Sequence, residues 1–187
     1  MRKIQVVDYD PSWPECFKEE SNLLRETLGD TAVAVHHIGS TAVPGLAAKP
    51  IIDILVEVTD LATLDARNPD MELIGYNPKG EFGIPGRRYF QKGGDNRTHQ
   101  IHAFLAGDLN VSRHIAFRDY LRSNPGVAEE YGALKKRVAE TCDDDIGKYC
   151  DGKDAFVKNH EETAVKLKTP GKTLPRTRSS RAAEIQR

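Results

Sequence analysis

The chain predicts an α/β protein of the α+β kind: a small mixed β-sheet, backed by an N-terminal helix and covered by a C-terminal helical subdomain. Three observations carry that prediction. Residues 32–38 and 51–58 are apolar runs with strand character, separated by a loop that Gly39, Pro44, Gly45 and Pro50 punctuate. Residues 87–91 and 97–105 form a second pair of strand-like runs, joined by the turn Gly93-Gly94-Asp95-Asn96. Beyond residue 110 the apolar positions recur at helical spacing instead. The ligand is expected in the cleft between sheet and helical subdomain.

The elements follow in order. Residues 4–9 read as a short first strand, stopped by Asp10-Pro11, and residues 12–28 as a helix. Trp13, Phe17, Leu24 and Leu28 recur near helical spacing before Gly29 ends it, which reads as core packing; stacking of Trp13 on a base is the competing reading. After strands 32–38 and 51–58 come a short helix at 61–66 and a strand at 71–76. Residues 77–86 are so rich in turn formers that they must be a loop. Three helices close the domain: 110–122, with Val111, Ile115 and Leu121 near one face; 125–142, with Val127, Tyr131, Leu134 and Val138; and 146–167, with Tyr149, Phe156 and Val157.

The 187 residues, 39% hydrophobic and 29% charged, make one globular domain over 1–165 and a tail over 166–187. The tail holds seven Lys or Arg and one Glu, so a formal charge of −1 hides an acidic body and a basic, disordered end. Cys16, Cys142 and Cys150 are odd in number and lack metal-ligand spacing, as reduced thiols in the cytoplasm would be. The N-terminal apolar run is too short for a signal peptide, and no run reaches membrane-spanning length. The composition therefore excludes a membrane-spanning role and predicts no specific nucleic-acid partner.

Chemistry-bearing residues gather around residues 36–58. Gly39 and Gly45 let backbone approach a ligand, while Ser40 and Thr41 add hydroxyls and N–H groups suited to an anion. Strand alternation puts Asp53, Leu55 and Glu57 on one face and Ile52, Ile54, Val56 and Val58 on the other. A carboxylate in so apolar a strand needs a partner. In the later hairpin Arg87 and Tyr89 share one face, Arg88 and Phe90 the other, and arginine is the planar donor for phosphate or carboxylate. His99 and His102 point to opposite faces and do not ligate one ion without a bulge. His102 is the one placed to join Asp53 across adjacent strands, and such a site prefers Zn²⁺, Mn²⁺ or Ni²⁺ over Mg²⁺. For His37 or His99 a hydrogen-bonded core histidine is the competing reading. Arg118, Lys148 and Lys153 as a set form a basic wall around a phosphate chain; singly, each reads as a solvated helix charge.

The strings HIGSTAVPGLAAKPIIDILVEV (37–58), IPGRRYF (84–90) and HQIHAF (99–104) resemble the GrpB-like family, over residues 7–157. That family is a nucleotidyltransferase-fold domain that stands alone or is fused to dephospho-CoA kinase. The resemblance implies that Gly39, Ser40 and Thr41 grip a triphosphate and that Lys49, Arg87, Arg88 and Tyr89 attend its charge. It also implies that Asp53 and Glu57 hold a divalent metal, Mg²⁺ or Mn²⁺, with Zn²⁺ admitted through Asp53 and His102. The chain departs from the fold's pattern at Leu55, where two-metal transfer needs a second carboxylate, and in residues 98–104, which contain no acid. Three functions follow: a nucleotidyltransferase-type enzyme, a non-catalytic module for a nucleotide or coenzyme A-like ligand, and a histidine–aspartate metalloenzyme. Oligomeric state is not legible.

Overall fold

The computed structural model describes residues 3–168. After α1 (Trp13–Leu28) come β1 (Ala32–Ile38) and β2 (Ile52–Val58), then two short helices, α2 (Leu61–Ala66) and α3 (Asn68–Leu73). Next are β3 (Tyr76–Pro78), β4 (Arg88–Lys92) and β5 (His99–Leu105). The chain closes with α4 (Leu109–Ser123), α5 (Pro125–Thr141) and α6 (Ile146–Lys168). The strands form one mixed sheet in the order β1-β2-β5-β4-β3, in which β2 and β5 run parallel and the other neighbours antiparallel. The predicted class, a mixed sheet with an N-terminal helix and helical C-terminal third, is therefore the one observed.

Alternation along β2 sorts the two layers. Ile52, Ile54, Val56 and Val58 pack with Ile101 and Ala103 of β5 against Trp13, Leu24 and Leu28 of α1, Leu64 of α2 and Met71 of α3. Trp13 is thus a core residue. On the other face Leu55 packs with Ile38, Phe104 and Val111 of α4. A separate cluster joins Leu121 of α4, Ala128 and Tyr131 of α5 and Val157 of α6 to Val43 and Leu46 of the β1–β2 loop. That apolar contact seats the loop in the helical subdomain, and a cavity lies where they meet.

Two expected strands differ. The sequence predicts a strand over residues 71–76, but Met71 closes onto the core from α3, and only Tyr76 onward pairs with β4. Pro69 in the first turn of α3 explains the difference, since its fixed φ and missing N–H suit a helix start. Residues 4–9 contribute a single bridge, Val7 to Ala48. The helical subdomain holds this segment instead: Ile4 N–H donates to Asp144 Oδ1 at 2.7 Å, and the Ile4 side chain packs against Cys142, Tyr149 and Cys150. Residues 166–168 complete α6; the rest of the expected tail lies outside the described residues. No described helix is long and apolar enough to cross a membrane.

Candidate functional site

The end of β1, the starts of β2 and β5, and helices α4, α5 and α6 enclose a cavity of about 150 Å³. Its floor is set by strand register: Asp53 lies between Ile38 of β1 and Gln100 of β5. Gly39 carries the chain over the carboxylate with φ of 69°, and a Cβ there would stand 2.6 Å from Asp53 Oδ2. Only glycine fits that approach. Ser40 begins the short 3₁₀ turn that follows. Helix α4 clamps this turn, as Arg118 Nη1 donates to the carbonyl of His37 at 3.0 Å and Arg122 Nε to that of Ala42 at 2.8 Å.

Two buried lysines form the opposite wall. Lys135 of α5 is 2% exposed and Lys153 of α6 is 4% exposed. Lys135 Nζ donates to Ser40 Oγ at 2.7 Å and lies 4.4 Å from the centre of the Tyr131 ring. Lys49 and Lys153 flank the Tyr149 ring at 5.0 and 5.8 Å. Burial pushes the Lys135 ammonium well below its ordinary pKa, and Lys153 and Lys49 push it the same way, while Asp53 opposes them. Among the described residues the cavity presents five basic side chains, Lys49, Arg97, Arg118, Lys135 and Lys153, against the carboxyl groups of Asp53 and Glu161. Glu161 is itself paired with Arg113 at 3.1 Å.

The predicted residues divide. Gly39, Ser40, Thr41, Lys49, Asp53, His102, Arg118 and Lys153 all line the cavity. Glu57 lies further along β2, hydrogen-bonded to His36 at 2.8 Å. Arg88 is on the α1 face of the sheet, in a two-pronged pair with Asp65 at 2.6 and 2.8 Å. Arg87 is 0% exposed; its Nε and Nη2 donate to the carbonyls of Glu81 and Phe82, and its Nη1 approaches His102 Nδ1 at 3.3 Å. Arg87 therefore fastens the 79–86 loop to the sheet, with Tyr89 stacked on Phe82 beside it. Lys148 is exposed and paired with Asp143. Lys135, missed in the sequence, had one usable signal: it falls four residues after Tyr131 and three before Val138, on the packing face of α5.

The acids do not fit a two-metal clamp. Leu55 occupies the second position on β2 as a fully buried core residue, Gln100 faces Asp53 from β5, and Glu57 is turned to His36. Among the described residues no three of His, Cys, Asp or Glu converge on one point. His102 lines the same cavity as Asp53; burial and then Arg87 lower its pKa to about 3, so the ring is neutral, and Arg87 Nη1 faces its Nδ1 at 3.3 Å.

Residues 3–163 match the family described as GrpB protein. The chain belongs to the GrpB family. It is 47% identical over 167 residues to UPF0157 protein YqkA of Bacillus subtilis, a match covering 89% of this chain and 49% of YqkA, so this GrpB protein spans about half the length of that relative. The crystal structure of conserved protein GrpB from Enterococcus faecalis aligns with a TM-score of 0.84 at 47% identity, covering 88% of this chain and 99% of that one. Terminal uridylyl transferase 4 from Trypanosoma brucei with bound CTP is a distant likeness: TM-score 0.49 and 16% identity, over 96% of this chain and 62% of that one.

A pH dependence follows from the histidines beside the site. His37 hydrogen-bonds Thr41 at 3.0 Å, and burial, then Arg122 and Arg118, lowers its pKa to about 4, as His102 is lowered to about 3. Both folded pKa values lie below the unfolded value, so below about pH 6.5 the unfolded chain binds protons that the folded one refuses. Stability is expected to fall as pH drops from about 6.5 to 4.5, by on the order of 2–3 kcal/mol for each ring. Urea denaturation of wild type and His37→Asn at several pH values tests this; equal slopes for the two proteins would contradict it.

Proposed function

We propose that this member of the GrpB family binds a phosphate-bearing small molecule of the nucleotide class in the cavity. The observation that carries the reading is the pair of buried lysines, Lys135 and Lys153, that line the cavity beside the Gly39-Ser40 turn, with Lys135 bonded to Ser40. An anion in the cavity meets the two lysine side chains and the Ser40 hydroxyl together, in charge-assisted hydrogen bonds that poor solvation strengthens. Phe117, Leu121, Tyr131 and Val157 supply an apolar and aromatic wall, as expected where a base or sugar accompanies the phosphates. Nucleotidyl transfer is a second reading, supported by the placement of Asp53 directly under the turn.

Calorimetric titration with ATP, CTP, GTP and coenzyme A, each with Mg²⁺, Mn²⁺ or EDTA, separates the two on wild type and Asp53→Asn. In the binding reading at least one ligand binds in EDTA, and Asp53→Asn binds it equally well or a few-fold more tightly, because a negative charge near the phosphates is gone. Loss of binding both in EDTA and in Asp53→Asn would move the weight to a metal-dependent transferase. No binding under any condition would overturn the proposal.

A further inference from the structure

A second cavity, of about 280 Å³, adjoins the first and shares Lys49, Ile51 and Arg97 with it. Arg97 lies in the β4–β5 connection, between the turn and the first residue of β5. Gly93 makes that turn possible: φ is 94°, and a Cβ there would collide with the Asn96 carbonyl oxygen. The hairpin is closed by Thr98 N–H donating to Lys92 at 3.0 Å, and Thr98 accepts from Ile52 N–H at 2.9 Å, so the backbone on which Arg97 sits is fixed to two strands. Its side chain is half-buried, and its Nε is closed off from solvent without a hydrogen-bond partner among the described residues. A buried guanidinium N–H without an acceptor is costly, more so than a neutral donor. The second cavity sets Lys3, Lys49 and Arg97 against a single acid, Asp95. Neither the Lys135–Lys153 wall nor the Ser40 turn reaches it.

We infer that the ligand is elongated and carries two separate anionic groups: one phosphate group between Ser40, Lys135 and Lys153, and a second phosphate held by Arg97 and Lys49 where the two cavities meet. This inference rests on the phosphate-binding reading above and sharpens it from nucleotides in general to nucleotides phosphorylated at two places. Arg97 is then the residue that selects for the second phosphate, since its planar fork matches a phosphate's oxygens in a way an ammonium does not.

The test compares AMP with adenosine 3′,5′-bisphosphate, which differ by one phosphate, and uses inorganic tripolyphosphate as a probe of the first group alone. All three are titrated calorimetrically into wild type, Arg97→Gln and Arg97→Lys, with thermal melts to show that each variant folds. Wild type is expected to bind the bisphosphate at least tenfold more tightly than AMP. Arg97→Gln should reduce that ratio to about twofold or less while leaving tripolyphosphate binding within about threefold, and Arg97→Lys should retain part of the ratio. A wild-type ratio near one, or a ratio that Arg97→Gln leaves unchanged, overturns the two-anion inference while the phosphate cavity stands. If none of the three probes binds, the cavity reading fails and takes this inference with it.

Discussion

Replacing Lys135 with methionine is expected to weaken phosphate-ligand binding about 100-fold while making the protein more stable. The two effects have opposite signs because they come from the same burial. In the ligand-free protein Lys135 is an ammonium or amine 2% exposed, pressed toward its neutral form by its surroundings and by Lys153 and Lys49. Methionine has nearly the same length and flexibility and no charge to desolvate, so the exchange removes the burial penalty of the ammonium. Asp53 is not stranded, since Lys49 and Lys153 line the same cavity. For a chain of this size each kcal/mol raises Tm by roughly 2–4 °C. With ligand present the balance reverses, because the variant loses a charge-assisted hydrogen-bond donor in a poorly solvated site, a loss on the order of 2–4 kcal/mol. An anion also favours the protonated amine, so wild-type affinity is expected to fall as pH rises, and that dependence should flatten in Lys135→Met. A less stable variant with unchanged affinity would identify Lys135 as a structural residue and sink the functional assignment.

The strands that position the site were readable in the sequence because each is an apolar run with one clear period. The alternation of Asp53 and Leu55 with Ile52, Ile54 and Val56 correctly separated the cavity face from the α1 face. The local motif Gly39-Ser40 and Asp53 was legible for the same reason: the turn and the strand start are neighbours through β1–β2 pairing. What could not be read was which distant charges arrive opposite them. Lys135 stands in the run Lys135-Lys136-Arg137, which resembles an ordinary solvated helix face, and only the tertiary placement of α5 against the turn buries the first of the three. Arg87 misled in the other direction. Its alternation with Arg88 was right, but the carbonyls that absorb it belong to the 79–86 loop folding back, a contact no periodicity announces. Helix α3 differs from the expected strand because Met71 and Leu73 alternate as strand residues do, yet Leu73 is exposed and Ile74, three after Met71, packs on the core; Pro69 is the better guide.

Gly39→Ala is expected to be the most destabilising single substitution in the turn, by on the order of 2–4 kcal/mol. Two costs add. The backbone at φ of 69° is strained for any residue with a side chain, and the new methyl would meet Asp53 Oδ2 at 2.6 Å and Asp53 Cβ at 3.0 Å. Neither atom can retreat easily, because β1 and β5 pair with β2 on both sides of Asp53. The costs separate in a double-mutant cycle followed by urea denaturation. In an Asp53→Ala background the oxygen is gone and the penalty of Gly39→Ala should shrink by about 1–2 kcal/mol, leaving the backbone strain and the tight approach to Cβ. In an Asp53→Asn background the side-chain shape is kept, so the penalty should stay near its wild-type size. A penalty equal in all three backgrounds would mean that backbone conformation alone requires the glycine. A penalty that follows the Asp53 side chain would mean that the acid requires it, so that the anion-binding turn and the carboxylate beneath it are one packed unit in which neither can be moved without the other.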